Sequence, residues 1–273
     1  MSEHVTVDGI ELAYELSGSG EPVVLIHWGV ASSWARPLLE EPALADAHQL
    51  LTYDRAGYGA SHRAEVPLTI ADHARHCALL MGQVGIERAH LVGHSSSAVV
   101  ALQLALDFPE AVQSVVSMEA ARPVPPTELQ ADFVRTFIVP AIERYRAGDT
   151  AGAVDTFFRG VFGDGYRPAL DAGLPDCFEL AVAEAGSFFG QELPALQQWS
   201  FTEHDAGRIA QPVMLMLGEH STPTFPERRE LLLAWLPNAE PFDLVDARHL
   251  LHVERPAAVA DALAAFFARH PLA

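Results

Sequence analysis

The apolar positions of this chain switch repeatedly between two spacings. Around Asp8-Gly9 they alternate with polar ones, over 5–7 and again over 11–16, and both turn residues tolerate positive φ, so the stretch reads as a β-hairpin. After Pro22, Val23-Val24-Leu25-Ile26 is apolar without a break, as a strand covered on both faces must be, and 49–53 reads the same way. From 69 to 84 the apolar residues recur every three or four positions, with Thr69 and Asp72 placed to cap a helix. His90-Leu91-Val92 is a short strand ending at Gly93, and 96–106 is an apolar, alanine-rich helix halted by Asp107-Phe108-Pro109. Val112–Met118 and 213–217 read as strands, 226–235 as a helix, 240–245 as the last strand and Pro256–Arg269 as a closing helix. Strands alternating with helices predict an α/β fold whose mostly parallel sheet is flanked by helices on both faces. Ligands then bind beyond the carboxyl ends of the strands.

One long segment breaks this alternation. From 122 to 207 nothing reads as a strand; the stretch opens on Pro123, Pro125 and Pro126 and is rich in aromatic residues. It is expected to be a helical cap, 122–207, inserted into a core made of 1–121 and 208–273. Most of its aromatics form its own core. Phe133, Phe137, Phe188 and Trp199, with Trp28 from the core, are expected to face a substrate pocket.

The chain's 273 residues suffice for one such domain, and its 49% hydrophobic and 19% charged content is that of a soluble globular protein. No apolar run reaches the roughly 20 residues of a membrane span, and the first residues, MSEHVTVDGI, carry no secretory signal, so a cytoplasmic location is expected. Lysine and arginine number 17 against 36 acidic residues, a net charge of −19, which disfavours nucleic acid and anionic membranes as partners. The expected partner is a small-molecule substrate; a homodimer is one option for the assembly. Cys77 and Cys177 belong to no paired motif and read as buried free thiols. The histidines form no ligand cluster such as H-E-x-x-H, so neither metal nor organic cofactor is expected.

Candidate chemistry centres on Leu91-Val92-Gly93-His94-Ser95-Ser96-Ser97. A strand, a sharp turn and a helix in succession lift the central serine, Ser95, out of the backbone. Residues two positions either side must be small: Gly93 meets the need, and Ser97 stands where a second glycine is usual. The helix beginning at Ser96 points its amides at any negative charge that develops beside Ser95.

With these residues the chain resembles the α/β-hydrolase superfamily over nearly its whole length. The resemblance rests on His27-Trp28-Gly29 after the 23–26 strand and on the motif 53–61, YDRAGYGAS. It rests also on the Ser95 turn and on His249-Leu250-Leu251-His252-Val253-Glu254-Arg255-Pro256. It implies that Ser95 is the nucleophile, that His249 is the general base, and that an oxyanion is held by the amide of Ser96 and that of Gly29 or of Trp28. His252 is the rival histidine. Asp54 and Arg55 are taken as scaffold.

The triad acid departs from the pattern. Most of the superfamily places an aspartate after the strand corresponding to 213–217, where this chain reads Leu217-Gly218-Glu219-His220-Ser221-Thr222-Pro223 and has Ser221 at the expected position. Glu119, at the end of Val112–Met118, is the alternative, as in certain haloalkane dehalogenases and the zearalenone-cleaving lactonases, which this chain resembles distantly. Glu219 is the second candidate, and Asp246 is expected in a loop. The resemblance implies a serine esterase or lactonase working through an acyl-enzyme. The same triad would also serve carbon–carbon bond hydrolysis or cofactor-free perhydrolysis, and the scaffold would serve a non-catalytic ligand receptor. Dehalogenase and epoxide hydrolase chemistry need an aspartate where Ser95 stands.

Overall fold

The computed structural model describes residues 2–121 and 127–272; Pro123, Pro125 and Pro126, which open the expected cap, lie outside the described residues. Eight strands form one sheet: β1 Glu3–Val7, β2 Ile10–Gly18, β3 Glu21–Ile26, β4 His48–Tyr53, β5 Ala89–His94, β6 Val112–Met118, β7 Val213–Gly218 and β8 Ala239–Leu244. Their order is β1-β2-β4-β3-β5-β6-β7-β8. The hairpin forms as the pattern requires, pairing Val7 with Ile10 across Asp8 and Gly9, both at positive φ (49° and 80°). β2 also runs antiparallel to β4, and every later neighbour is parallel.

The unbroken apolar strands are buried on both faces because alternate side chains feed different cores. Leu91, Val115, Val213 and Leu215 pack with helices Ile70–Gln83 and Ser96–Asp107, while Val92, Val116, Met214 and Met216 pack with helix Pro256–Arg269 through Phe266 and Phe267. Thr69 and Asp72 do cap the first of these helices reciprocally. Cys77 and Cys177 are free and buried, and burial pushes each thiol up to about 12.

Between β6 and β7 the described chain is helical, including Glu128–Phe133, Val139–Arg146, Thr150–Phe162, Tyr166–Gly173, Cys177–Ser187 and Leu193–Gln198. Two π-helical turns interrupt it, Val134–Ile138 and Phe188–Glu192. This insertion has its own core around Phe158, Phe162 and Phe188, into which the sheet side contributes Trp28 and Trp34. Two buried acids of the insertion fasten it to the loops after β3 and β4. Glu184 accepts from the Ser32 amide (3.0 Å) and hydroxyl (2.9 Å) and from the Gly59 amide (2.7 Å). Glu192 pairs with Arg55 at 2.7 Å. Among the described residues no helix is long and apolar enough to cross a membrane.

Candidate active site

Ser95 sits at φ 53° and ψ −114°, a conformation that a non-glycine residue adopts only when its surroundings impose it. Here the neighbouring strand imposes it. The Ser95 amide donates to the Met118 carbonyl at 2.9 Å, and the Ala121 amide donates to the Ser95 carbonyl at 3.0 Å. The turn is tight enough that a Cβ at Gly93 would lie 2.4 Å from the Ser97 carbonyl oxygen. Ser97 is no passive replacement for the usual glycine. Its hydroxyl accepts from the His94 amide (2.8 Å) and donates to the His94 carbonyl (2.9 Å), closing the turn from inside.

Glu119 is the first residue beyond β6 and is also held at positive φ, 48°. Its carboxylate is buried and surrounded: Oε2 meets Nδ1 of His249 at 2.5 Å, and Oε1 accepts from the Gly218 amide at 2.7 Å and the Ser221 hydroxyl at 2.5 Å. With the Nδ1 proton facing Glu119, the lone pair of His249 sits on Nε2, which is buried and has no hydrogen-bond partner among the described residues. The imidazole stacks on Phe225 (centroids 4.0 Å apart, 14° between planes) and packs 4.4 Å from the ring of His94, the residue before Ser95. Burial holds His249 below the ordinary imidazole range, and the Glu119 carboxylate opposes that shift. An imidazole so oriented can accept a hydroxyl proton and have its charged form stabilised by the carboxylate behind it.

The other candidate acids are elsewhere. Glu219 is exposed and accepts from the Asp246 amide at 3.0 Å, and Asp246 is exposed in the loop as expected. With His220 these two bring ligand atoms within 4.8 Å of one another on the surface, the one grouping among the described residues that could hold a cation. His252 is not oriented by a carboxylate; its Nε2 hydrogen-bonds the Trp34 carbonyl oxygen at 2.9 Å.

A cavity of about 420 Å³ opens over Ser95, with Ser95, Ser96 and Trp28 in its wall. The insertion supplies Phe133, Phe157 and Phe188 among its apolar lining, as expected for Phe133 and Phe188. Two expectations are corrected. Phe137 lies outside the lining, packed so closely on Gly160 that a Cβ there would lie 2.6 Å from its ring. Trp199 stacks on Phe201 and donates from Nε1 to Gln103 at 2.7 Å, which commits it to the core. Sequence reasoning missed Phe225, which both lines the cavity and stacks on His249, and the polar lining residues Gln130, Gln197 and Arg228. Phe225 is the second residue of helix Thr224–Trp235, which the sequence pattern starts only at 226, so that pattern leaves it outside the helix.

Of the expected oxyanion donors, Ser96 opens its helix beside Ser95 and lines the cavity. Gly29 lies outside the lining, and its amide donates to the Ser96 hydroxyl at 3.3 Å.

Comparison with known proteins agrees with this architecture. The chain is 39% identical over 106 residues to a protein of Azorhizobium caulinodans assigned as carbamate hydrolase RutD, a match covering 38% of this chain and only 39% of that one. It is 28% identical over 280 residues to a Mycobacterium tuberculosis protein assigned as non-heme bromoperoxidase BpoC, covering 95% of this chain and 98% of the other. It superposes on the enol-lactonase of Burkholderia xenovorans LB400 with a TM-score of 0.83 at 21% identity, covering 97% of this chain and all of that one, a likeness of fold. The family model for the alpha/beta hydrolase fold matches residues 21–256. By that match, and by its eight-stranded, mostly parallel sheet, the chain belongs to the α/β-hydrolase fold family.

Proposed function

We propose that the protein is a serine hydrolase that cleaves an ester or lactone of a small, apolar or ring-bearing substrate through an acyl-enzyme. The observation that carries this reading is the buried His249–Glu119 pair at 2.5 Å, whose imidazole packs 4.4 Å from the ring of His94, the residue preceding a serine held at positive φ in the wall of a largely apolar cavity. In this reading His249 Nε2 takes the Ser95 proton as Ser95 attacks the carbonyl carbon. The amides of Ser96 and Gly29 hold the oxyanion, and His249 then protonates the leaving alcohol. Water activated by His249 releases the acid in the second half of the cycle. Glu119 keeps the imidazole in the productive tautomer and stabilises its cation. The bare Nε2 fits a site whose catalytic hydrogen bond tightens on substrate binding. The helical insertion serves as the cap, and its aromatic side chains favour an apolar acyl or ring moiety.

The test is hydrolysis of p-nitrophenyl acetate and butyrate by wild type, Ser95→Ala, Glu119→Gln and Glu219→Gln. Activity lost in the first two variants and kept in the third supports the assignment. Activity that survives Ser95→Ala removes it.

A second reading, cofactor-free perhydrolysis by the same residues, draws on the full-length likeness to the protein assigned as a bromoperoxidase. Ser95-dependent bromination in acetate, hydrogen peroxide and bromide, in which the peracid formed oxidises bromide, outpacing ester hydrolysis, would favour it.

A further inference from the structure

We infer that Arg228 is a specificity-determining residue: the protein selects esters or lactones whose apolar body carries a carboxylate away from the scissile bond, and Arg228 binds that carboxylate. The inference rests on the Ser95 hydrolase reading and names the substrate class of that site.

The cavity over Ser95 is walled mainly by apolar side chains, and among its described lining residues Arg228 is the only one with a charged side chain. Gln130 and Gln197 add two amides to the same wall. In a pocket of this kind the apolar surface supplies affinity and the few polar groups decide orientation and choice. Arg228 is 7% exposed, and a guanidinium stays charged in any protein environment. A wholly apolar ligand filling the cavity would strip water from that cation and give nothing back. A carboxylate replaces the water with charge-assisted hydrogen bonds.

Helix Thr224–Trp235 follows β7, and on it Phe225 and Arg228 are three residues apart, hence on one face. The Phe225 ring stacks on the His249 imidazole at 4.0 Å, and the guanidinium carbon of Arg228 lies 5.0 Å from the centroid of the same ring. An aromatic face thus holds the cation on the side of the helix that meets the proposed base. The adjacent Arg229 goes the other way and pairs with exposed Asp243 at 2.5 Å. Glu119 borders a small void together with Phe225 and Arg228, but its two oxygens serve His249, the Gly218 amide and the Ser221 hydroxyl. A guanidinium carries five N–H donors in a planar fork, so contacts with the protein are compatible with a grip on a substrate carboxylate.

The net charge of −19 opposes an anionic substrate at a distance. Salt screens that field over roughly 8 Å, whereas a cation in an apolar cavity acts through a low dielectric. Selection of the anion therefore falls to Arg228 and not to the surface.

The experiment uses two pairs of esters, each a carboxylate and its neutral counterpart with isopropyl in place of the carboxylate. One pair carries the group on the acyl chain, the p-nitrophenyl monoester of adipate and its counterpart. The other carries it on the leaving group, p-carboxyphenyl butyrate and p-isopropylphenyl butyrate. The readout is the ratio of kcat/KM within each pair, divided by the same ratio for hydroxide-catalysed hydrolysis, so that intrinsic reactivity cancels. Wild type should give a ratio above one in at least one pair, and Arg228→Met should lower it about tenfold or more. Arg228→Lys, which keeps the charge without the fork, should retain part of the preference. Arg229→Met should leave the ratio unchanged, as should any merely structural weakening of the helix, which acts on both esters alike. A folded Arg228→Met whose ratios match wild type within about twofold overturns the inference. Wild-type ratios below one in both pairs overturn it as well, and that arm stands even where Arg228→Met does not fold. Turnover that survives Ser95→Ala overturns the hydrolase reading and this inference with it. Ser95-dependent turnover with ratios that Arg228→Met does not move overturns the inference only.

Discussion

The hydroxyl of Ser221 donates to Oε1 of Glu119 at 2.5 Å while Oε2 of the same carboxylate meets His249. Ser221 occupies the position where the family resemblance expects the acid, and here it donates to the carboxylate that meets His249. Two carboxylates in this buried spot would repel each other and push up the proton affinity of one. A small donor is therefore what the Glu119 arrangement requires at 221. Ser221→Asp in the wild type should lower kcat/KM by about tenfold or more, through that repulsion. In a Glu119→Ala background the same substitution should recover part of the lost activity by returning a carboxylate to the neighbouring strand end. Equal activity in Glu119→Ala and Glu119→Ala/Ser221→Asp would show that the two positions are not interchangeable.

The pH profile follows from the balance at His249. Burial lowers its pKa and the Glu119 carboxylate raises it, with burial the larger effect. The base is active when neutral, so the acid limb of kcat/KM should lie below the ordinary imidazole value of 6.5. Glu119→Gln removes the raising influence, so the limb should move further down while the plateau falls. A limb that moves up in Glu119→Gln would contradict the arrangement.

The turn around Ser95 should be intolerant in a graded way. Gly93→Ala forces a Cβ to 2.4 Å from the Ser97 carbonyl, against backbone that cannot yield, so soluble folded protein should be largely lost. Ser97→Ala deletes only the pair of hydrogen bonds to His94 and should cost about 1–3 kcal/mol by urea denaturation.

Two buried histidines should make the fold sensitive to acid. Burial, with the nearby Arg55 charge adding to it, pushes His27 down to about 3, and burial pushes His252 down to about 4. Below 6.5 the unfolded chain binds protons that these rings refuse in the fold. Stability is therefore lost as pH falls from about 6.5, and the loss levels off near pH 4 for His252 and near 3 for His27. Each contributes a slope of about 1.4 kcal/mol per pH unit. His252→Gln, which can still hydrogen-bond the Trp34 carbonyl, should flatten the dependence of the urea midpoint between pH 6.5 and 4.

The corrected cavity wall separates substrate selection from stability. Phe188→Ala should enlarge the cavity and shift preference toward longer or bulkier acyl chains. Trp199→Ala should leave the butyrate-to-acetate ratio unchanged while destabilising the fold by about 3–5 kcal/mol, as core aromatic truncations do.

Much of the fold was legible because its signals are local. The apolar runs of β3, β5, β6 and β7, the capping pair Thr69 and Asp72, and the Asp8-Gly9 turn each encode their own backbone, and the structure repeats them with small changes at the ends. The places of Ser95 and His249 were legible in the same way, one at a strand–turn–helix transition and the other between the last strand and the closing helix. Glu119 was suggested by the resemblance to superfamily members that carry a glutamate after that strand, once Ser221 was found at the usual position of the acid.

What the chain could not show was which distant side chains converge. The insertion's aromatics divide into wall and core according to how its helices roll, and that is set by packing among them all. Phe137 and Trp199 carry the same composition signal as Phe133 and Phe188 yet end elsewhere. Glu192 is one acid among many in the sequence, and only the docking of the insertion brings it to Arg55, Tyr58 and Gly29. Sequence by itself determined the strands, the helices and the turn that presents Ser95, because backbone propensity and periodicity act over a few residues. Tertiary structure alone decided the partners of Glu119 and Glu192, because a buried charge is tolerated only where the assembled fold brings donors and counter-charges to it.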